Sequence, residues 1–186
     1  MADTGFKSPT SNAAIGGGWT FPTYAYTDDA VYAYATSSND RHSYADFSFG
    51  IPAGATIDGI EVQSQNNADG PVFNGDQGQI SFALSKNNGS SYTSYKTITM
   101  DTQTGDYTNT FGGATDKWGT TWVDTDFADG TFRLEMRSGP TWTGGTAYIN
   151  TDYILVKVYY TASGGGGGSV ASTIVSTMRT LTGVGL

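Results

Sequence analysis

Side chains able to do covalent chemistry are few in this sequence, and their spacing argues against catalysis. His42 is the only histidine, and no cysteine is present. A hydrolytic triad needs a base held between a nucleophile and an acid. His42 instead sits in Ser-Ser-Asn-Asp-Arg-His-Ser, a run that reads as a solvated turn. Two carboxylates flanking a sugar could cleave a glycosidic bond, but the aspartates form many nominal pairs without a distinctive spacing. Glu61 and Glu135, the only glutamates, fall in segments whose alternate positions are apolar. Both are expected on the solvent face of strands, and no catalytic residue is assigned.

Binding chemistry has more to work with. Asp124-Thr-Asp-Phe-Ala-Asp-Gly clusters Asp124, Asp126 and Asp129, and clustered carboxylates suit a hard cation such as calcium. The spacing departs from an EF-hand loop, because Ala128 takes the fifth position and Asp129 the sixth, where glycine is required. A turn leading into a strand at Phe132 accounts for the same residues. Asp69, Asn74 and Asp76 make a second, weaker cluster. No cofactor is expected beyond a structural calcium ion. Trp118, Trp122 and Trp142 could stack on the faces of sugar rings; packing in the core or between subunits is the alternative use of the same rings.

Strands must position these residues. Aromatic residues make up 13% of the chain, with 12 Tyr, 9 Phe and 4 Trp among many Thr and Ser, a mixture suited to half-buried pleated surfaces. The acidity is carried almost wholly by Asp, which prefers turns to helix interiors. A formal net charge of -8 leaves no basic stripe for a phosphate backbone, so neither nucleic acid nor an anionic membrane is an expected partner. The absence of cysteine excludes disulfides and thiolate metal sites without fixing the compartment. The opening MADTGFKSP shows no basic and apolar signal pattern, and no apolar run approaches the roughly 20 residues that span a bilayer. Export is then expected by lysis, by assembly, or after loss of a further segment.

The 186 residues fit one principal core with appendages. Residues 1–26 read as a Gly/Pro/Ser-rich lead-in whose Trp19, Phe21, Tyr24 and Tyr26 pack on something. A sandwich domain is expected over 27–162. Alternating patterns mark strands at 30–36, 44–49, 57–65, 79–85, 92–100, 131–137 and 147–160, with Pro52 and Gly54 breaking the ladder and Asn88-Gly89 making a hairpin turn. About eight strands at such spacing predict an all-β, two-sheet antiparallel, jelly-roll-like β-sandwich. After it, residues 163–168 form a glycine-rich linker. Residues 169–186 then carry Val170, Ile174, Val175, Met178, Leu181, Val184 and Leu186 as an apolar arm, helix or strand. So loose a tether points to docking on a neighbouring subunit, and exchanged arms would stabilise a homo-oligomer.

The run Asp28-Asp-Ala-Val-Tyr-Ala-Tyr-Ala, then Phe47-Ser-Phe-Gly-Ile-Pro-Ala-Gly-Ala-Thr-Ile-Asp-Gly-Ile-Glu-Val, resembles a β-sandwich family of tailed bacteriophages and environmental viral sequences. Phe111-Gly-Gly-Ala-Thr-Asp-Lys-Trp-Gly-Thr-Thr-Trp and Asp152-Tyr-Ile-Leu-Val-Lys-Val-Tyr-Tyr-Thr extend the likeness over residues 19–161. The resemblance implies a virion structural protein, a capsid decoration or tail-associated subunit, partnered by itself or by other virion proteins. The rival expectation is a carbohydrate-binding module on a fibre, and a third is an extracellular homopolymeric filament.

Overall fold

A computed structural model of the chain describes residues 1–69, 78–100, 105–139 and 148–163. The described strands, in chain order, are β1 (Ala2–Asp3), β2 (Ser11–Gly16), β3 (Ala33–Ala35), β4 (Arg41–Ala45) and β5 (Thr56–Asp69). They continue with β6 (Gln79–Ser85), β7 (Lys96–Thr99), β8 (Tyr107–Gly113), β9 (Arg133–Ser138) and β10 (Tyr148–Thr161), and two 3-10 turns lie at Pro22–Ala25 and Asp124–Phe127. One sheet has the order β1-β10-β5-β8, with β3 also paired to β10; the other has the order β2-β4-β9-β6-β7. All these pairings are antiparallel. The chain crosses between sheets at every step except the β6–β7 hairpin, so the strands wind in the jelly-roll-like manner that the alternating pattern predicts.

Period-two alternation sets which side chains face inward. Ile60 and Val62 of β5, Phe82 and Leu84 of β6, Leu134 and Met136 of β9, and Ile154, Val156 and Val158 of β10 meet in one buried core. Its aromatic end is built from Phe47, Phe49, Trp122, Phe127 and Phe132, with Phe132 within 5.2–5.9 Å of each of the others, centroid to centroid. Each such fully buried ring stabilises the fold by about 1.5–3 kcal/mol relative to exposure.

Several elements differ from the sequence reading, each for a local reason. The strand expected over 44–49 stops at Ala45, because Asp46 (φ 57°) and Ser48 (φ 50°) turn left-handed. Asp46 Oδ1 accepts the Gly130 N–H at 2.7 Å, and Asp129 accepts both the N–H and the hydroxyl of Ser48, which offsets that conformation while Phe47 and Phe49 still reach the core. The strand expected over 30–36 shrinks to β3. Asp152, almost fully buried, draws the Asp29 and Ala30 N–H groups to its two oxygens at 3.2 and 3.1 Å, and Ala30 is left-handed there. In the lead-in, β1 and β2 add edge strands. Trp19 is buried and Tyr26 half-buried, whereas Phe21 and Tyr24 are exposed and stack on each other. The glycine tract, the arm of Val170 to Leu186, Trp142, Asn74 and Asp76 lie outside the described residues.

Candidate functional site

The β6–β7 hairpin does not end at its turn. After Asn88-Gly89, both left-handed, residues 91–95 return along the edge of β6 before β7 pairs with it, and the Tyr95 side chain reaches across the outer face of the second sheet to Glu135. Thr93 fixes this return, its N–H bonding Leu84 O at 2.8 Å and its Oγ1 accepting the Leu84 N–H at 3.0 Å. The outward residues of β6, Ser81, Ala83 and Ser85, are all buried. Small side chains there leave room for a covering layer.

That layer explains Glu135, which corrects the expectation of a solvent-facing strand residue: it is fully buried. Arg41 on the neighbouring β4 donates twice to it, Nε to Oε1 at 2.5 Å and Nη2 to Oε2 at 2.7 Å. The Tyr95 hydroxyl donates to the same Oε1, and the Arg137 guanidinium lies over the Tyr95 ring at 3.8 Å. The hydrogen bond to Glu135 drives the Arg41 pKa up, and burial followed by the Glu135 hydrogen bond raises that of Tyr95. Glu61 sits half-buried on the outer face of the first sheet, accepting from the Tyr159 hydroxyl at 2.5 Å and paired with Lys157 at 3.4 Å. His42 is a second correction. It lies on β4, not in a solvated turn; it is buried, bonded through Nε2 to Asn12 Oδ1 at 2.8 Å, and burial lowers its pKa. The three residues therefore serve packing and strand registration.

The tryptophans converge where the carboxylates do not. Trp118 and Trp122 both line a cleft of about 400 Å³ between the 91–96 segment and the 117–122 loop, together with Lys86, Tyr92, Ser94, Tyr95, Lys96 and Thr120. Their rings are not the open platforms that stacking from solvent would need: Trp118 is 4% and Trp122 6% exposed. Each indole N–H is fixed to a carbonyl, Trp118 to Ile60 O at 3.0 Å and Trp122 to Lys117 O at 2.9 Å. They form the cleft's rigid back, while half-buried Tyr92 and Tyr95 and the exposed Ser94 form its lip. Lys96 rests 5.2 Å from the Trp118 ring and pairs with Asp116 at 2.7 Å. The hydroxyls of Ser94 and Thr120 have no hydrogen-bond partner among the described residues.

Asp116 is held below the ordinary carboxylate value of 3.8. Burial acts to raise it, but the Lys96 ammonium and the Trp118 N–H outweigh burial. Because the native pKa is the lower one, the stabilisation is fully present above the unfolded value and is lost as pH falls through the native value. Both partners are partly exposed, so the bridge contributes about 0.2–1 kcal/mol. Lys96→Met should be slightly less stable than wild type at about pH 6, with the deficit shrinking as pH falls below 3.8. A difference in thermal midpoint that does not shrink with acid would contradict this.

Asp124, Asp126 and Asp129, the candidate cation ligands, are each drawn to a different donor. Asp124 accepts the Gly54 N–H at 2.9 Å, Asp126 the Val123 N–H at 2.9 Å, and Asp129 is taken by Ser48. Each stabilises a different loop, and among the described residues no group of three acidic or histidine side chains is placed to hold a metal ion.

Fold and cleft together define a two-sheet antiparallel β-sandwich with a small aromatic-backed cleft at one sheet edge. No protein-family model matches the chain, and it matches no curated protein. Among solved structures it is similar to a cleaved adhesin domain of Lys-gingipain from Porphyromonas gingivalis, at 14% identity and TM-score 0.48, over 84% of this chain and 98% of that one. It is also similar to the CBM22-1 xylan-binding domain from Paenibacillus barcinonensis, at 11% identity and TM-score 0.45, over 87% and 97%. A third is the domain TmCBM61 in complex with β-1,4-galactotriose, at 8% identity and TM-score 0.42, over 81% and 90%. None of these indicates a phage origin or a viral family, so the viral resemblance reduces to the coarser statement that the chain is a β-sandwich.

Proposed function

We propose that this chain is a non-catalytic, extracellular saccharide-binding module whose site is the cleft between the 91–96 segment and the 117–122 loop. The observation that carries this reading is the make-up of that cleft. Aromatic surface from half-buried Tyr92 and Tyr95, backed by the buried rings of Trp118 and Trp122, adjoins the unpaired hydroxyls of Ser94 and Thr120. A sugar presents a C–H face suited to aromatic rings and a rim of hydroxyls that need partners, and this wall supplies both. Its volume lies at the small end of ligand sites, enough for one or two sugar units. The glutamates and the histidine are committed elsewhere, so the cleft holds no acid–base pair for cleavage.

Truncating Trp118 would test the core as much as the cleft, since the ring is buried. Ser94→Trp is the better probe, because it fills the cleft from an exposed position. On a glycan array followed by calorimetry, the wild-type protein should bind a defined set of saccharides. Ser94→Trp should lose at least about tenfold in affinity with an unchanged unfolding midpoint. An array on which nothing binds would sink the reading.

A further inference from the structure

We infer that the saccharide taken by this cleft is acidic, and that Lys86 is the group that reads its negative charge. The inference rests on the saccharide reading of the cleft and adds the ligand's chemical class. It starts from a contrast. The chain carries 17 Asp and Glu against 9 Lys and Arg, yet the cleft is lined by two lysines and by no carboxylate.

The two lysines are not equivalent. Lys96 is neutralised by Asp116 at 2.7 Å. Lys86 has no carboxylate within ion-pair distance among the described residues, and its Nζ donates to one neutral acceptor, Thr121 O, at 2.8 Å. An ammonium has three donors, so two remain to be satisfied by water or by a ligand at the cleft.

The nearby acidic groups do not cancel that charge. Glu135, behind the Tyr95 lip, is already held by Arg41 and Tyr95. Asp124 and Asp129 line a separate cleft with Ser48, Phe49 and Ile51, and their oxygens are engaged by Gly54 and Ser48. Lys117, exposed on the same loop as Trp118, adds a second cation without a carboxylate partner among the described residues. Charges separated by more than about 8 Å are largely screened at physiological salt. The local ammonium therefore governs what enters. A carboxylate or sulfate on the sugar would gain a charge-assisted hydrogen bond, roughly twice as strong as a neutral one.

The test titrates the full chain with three matched oligosaccharides: an oligogalacturonate, a heparin-derived sulfated oligomer and a neutral galacto-oligosaccharide. At least one acidic ligand should bind about tenfold more tightly than the neutral one at low salt, and that advantage should fade by 0.5 M NaCl; the two acidic arms tell carboxylate from sulfate. Lys86→Met should abolish the preference, bringing the acidic and neutral affinities to within about twofold of each other, whatever their common level. Lys86→Arg, which keeps the charge, should retain the preference. Neutral binding equal to or tighter than acidic binding overturns the inference and leaves the saccharide reading standing. Binding of none of the three, with an empty array, overturns both. An unchanged preference in Lys86→Met, or tighter binding of an oligonucleotide than of any sugar, also overturns it.

Discussion

Arg41→Met is expected to cost this protein about 3–5 kcal/mol of stability, more than removal of the charge on its partner Glu135. The two halves of the ion pair are buried unequally: the Arg41 side chain is 36% exposed, whereas that of Glu135 is 0% exposed. Removing the arginine strands a carboxylate that water cannot reach, with the Tyr95 hydroxyl as its remaining side-chain donor. Removing the carboxylate by Glu135→Gln leaves a guanidinium that can turn to solvent, so the loss should be nearer the about 1–3 kcal/mol of an unsatisfied buried hydrogen bond. The double variant Arg41→Met/Glu135→Gln should be more stable than Arg41→Met alone, because it no longer holds an unpaired charge. The single variant should also recover on mild acidification. A carboxylate without its cation has a native pKa above the unfolded one, so stability rises as pH falls through that raised value. Urea unfolding of the four proteins at two pH values measures all of this. If Arg41→Met were no worse than Glu135→Gln and indifferent to pH, the buried-charge account of this network would be wrong.

The same residues show what was legible in the sequence. Alternation within one strand is a local signal, and it correctly gave the inward faces of β5, β6, β9 and β10 and the two-sheet sandwich. Whether the outward face of a strand meets water depends on what another segment does. Glu135 was assigned to solvent because nothing in Thr131-Phe-Arg-Leu-Glu-Met-Arg reports that the Tyr95 side chain covers it. A weaker signal did exist. Ser81, Ala83 and Ser85 on β6 are all small, a seat for a layer above, and Tyr92 and Tyr95 follow a tight turn only a few residues on. Trp118 and Trp122 were likewise singled out as stacking or packing rings without anything local telling whether the rings face in or out. That was decided by the indole bond to Ile60, 58 residues away in the chain. His42 was misplaced for a related reason: its turn-forming neighbours dominate the local composition, while pairing of β4 with both β2 and β9 overrides them.

That long-range bond makes a glycine the most vulnerable point of the cleft. Gly112→Ala is expected to destabilise the protein by about 2–5 kcal/mol and to abolish the proposed saccharide binding, although residue 112 lines no part of the cleft. The backbone there has φ +76°, which costs a residue with a Cβ about 1–2 kcal/mol. The added carbon would also stand 2.3 Å from Ile60 O and 2.6 Å from Trp118 Nε1, between the donor and the acceptor that fix the indole. Ile60 belongs to the central strand β5 and cannot retreat without disturbing its ladder to β10, so β8 or Trp118 must move. Losing the buried indole hydrogen bond adds about 1–3 kcal/mol. Gly130→Ala is the control. Its φ of +81° carries the same conformational cost, but nothing lies within 4 Å of the added carbon, so about 1–2 kcal/mol is expected and binding should persist. Chemical unfolding gives the stabilities, and the Trp118 indole N–H resonance reports whether its bond survives. Equal costs at the two glycines, with that resonance unmoved, would show that β8 is free to shift and that Trp118 is not fixed in the way the cleft requires.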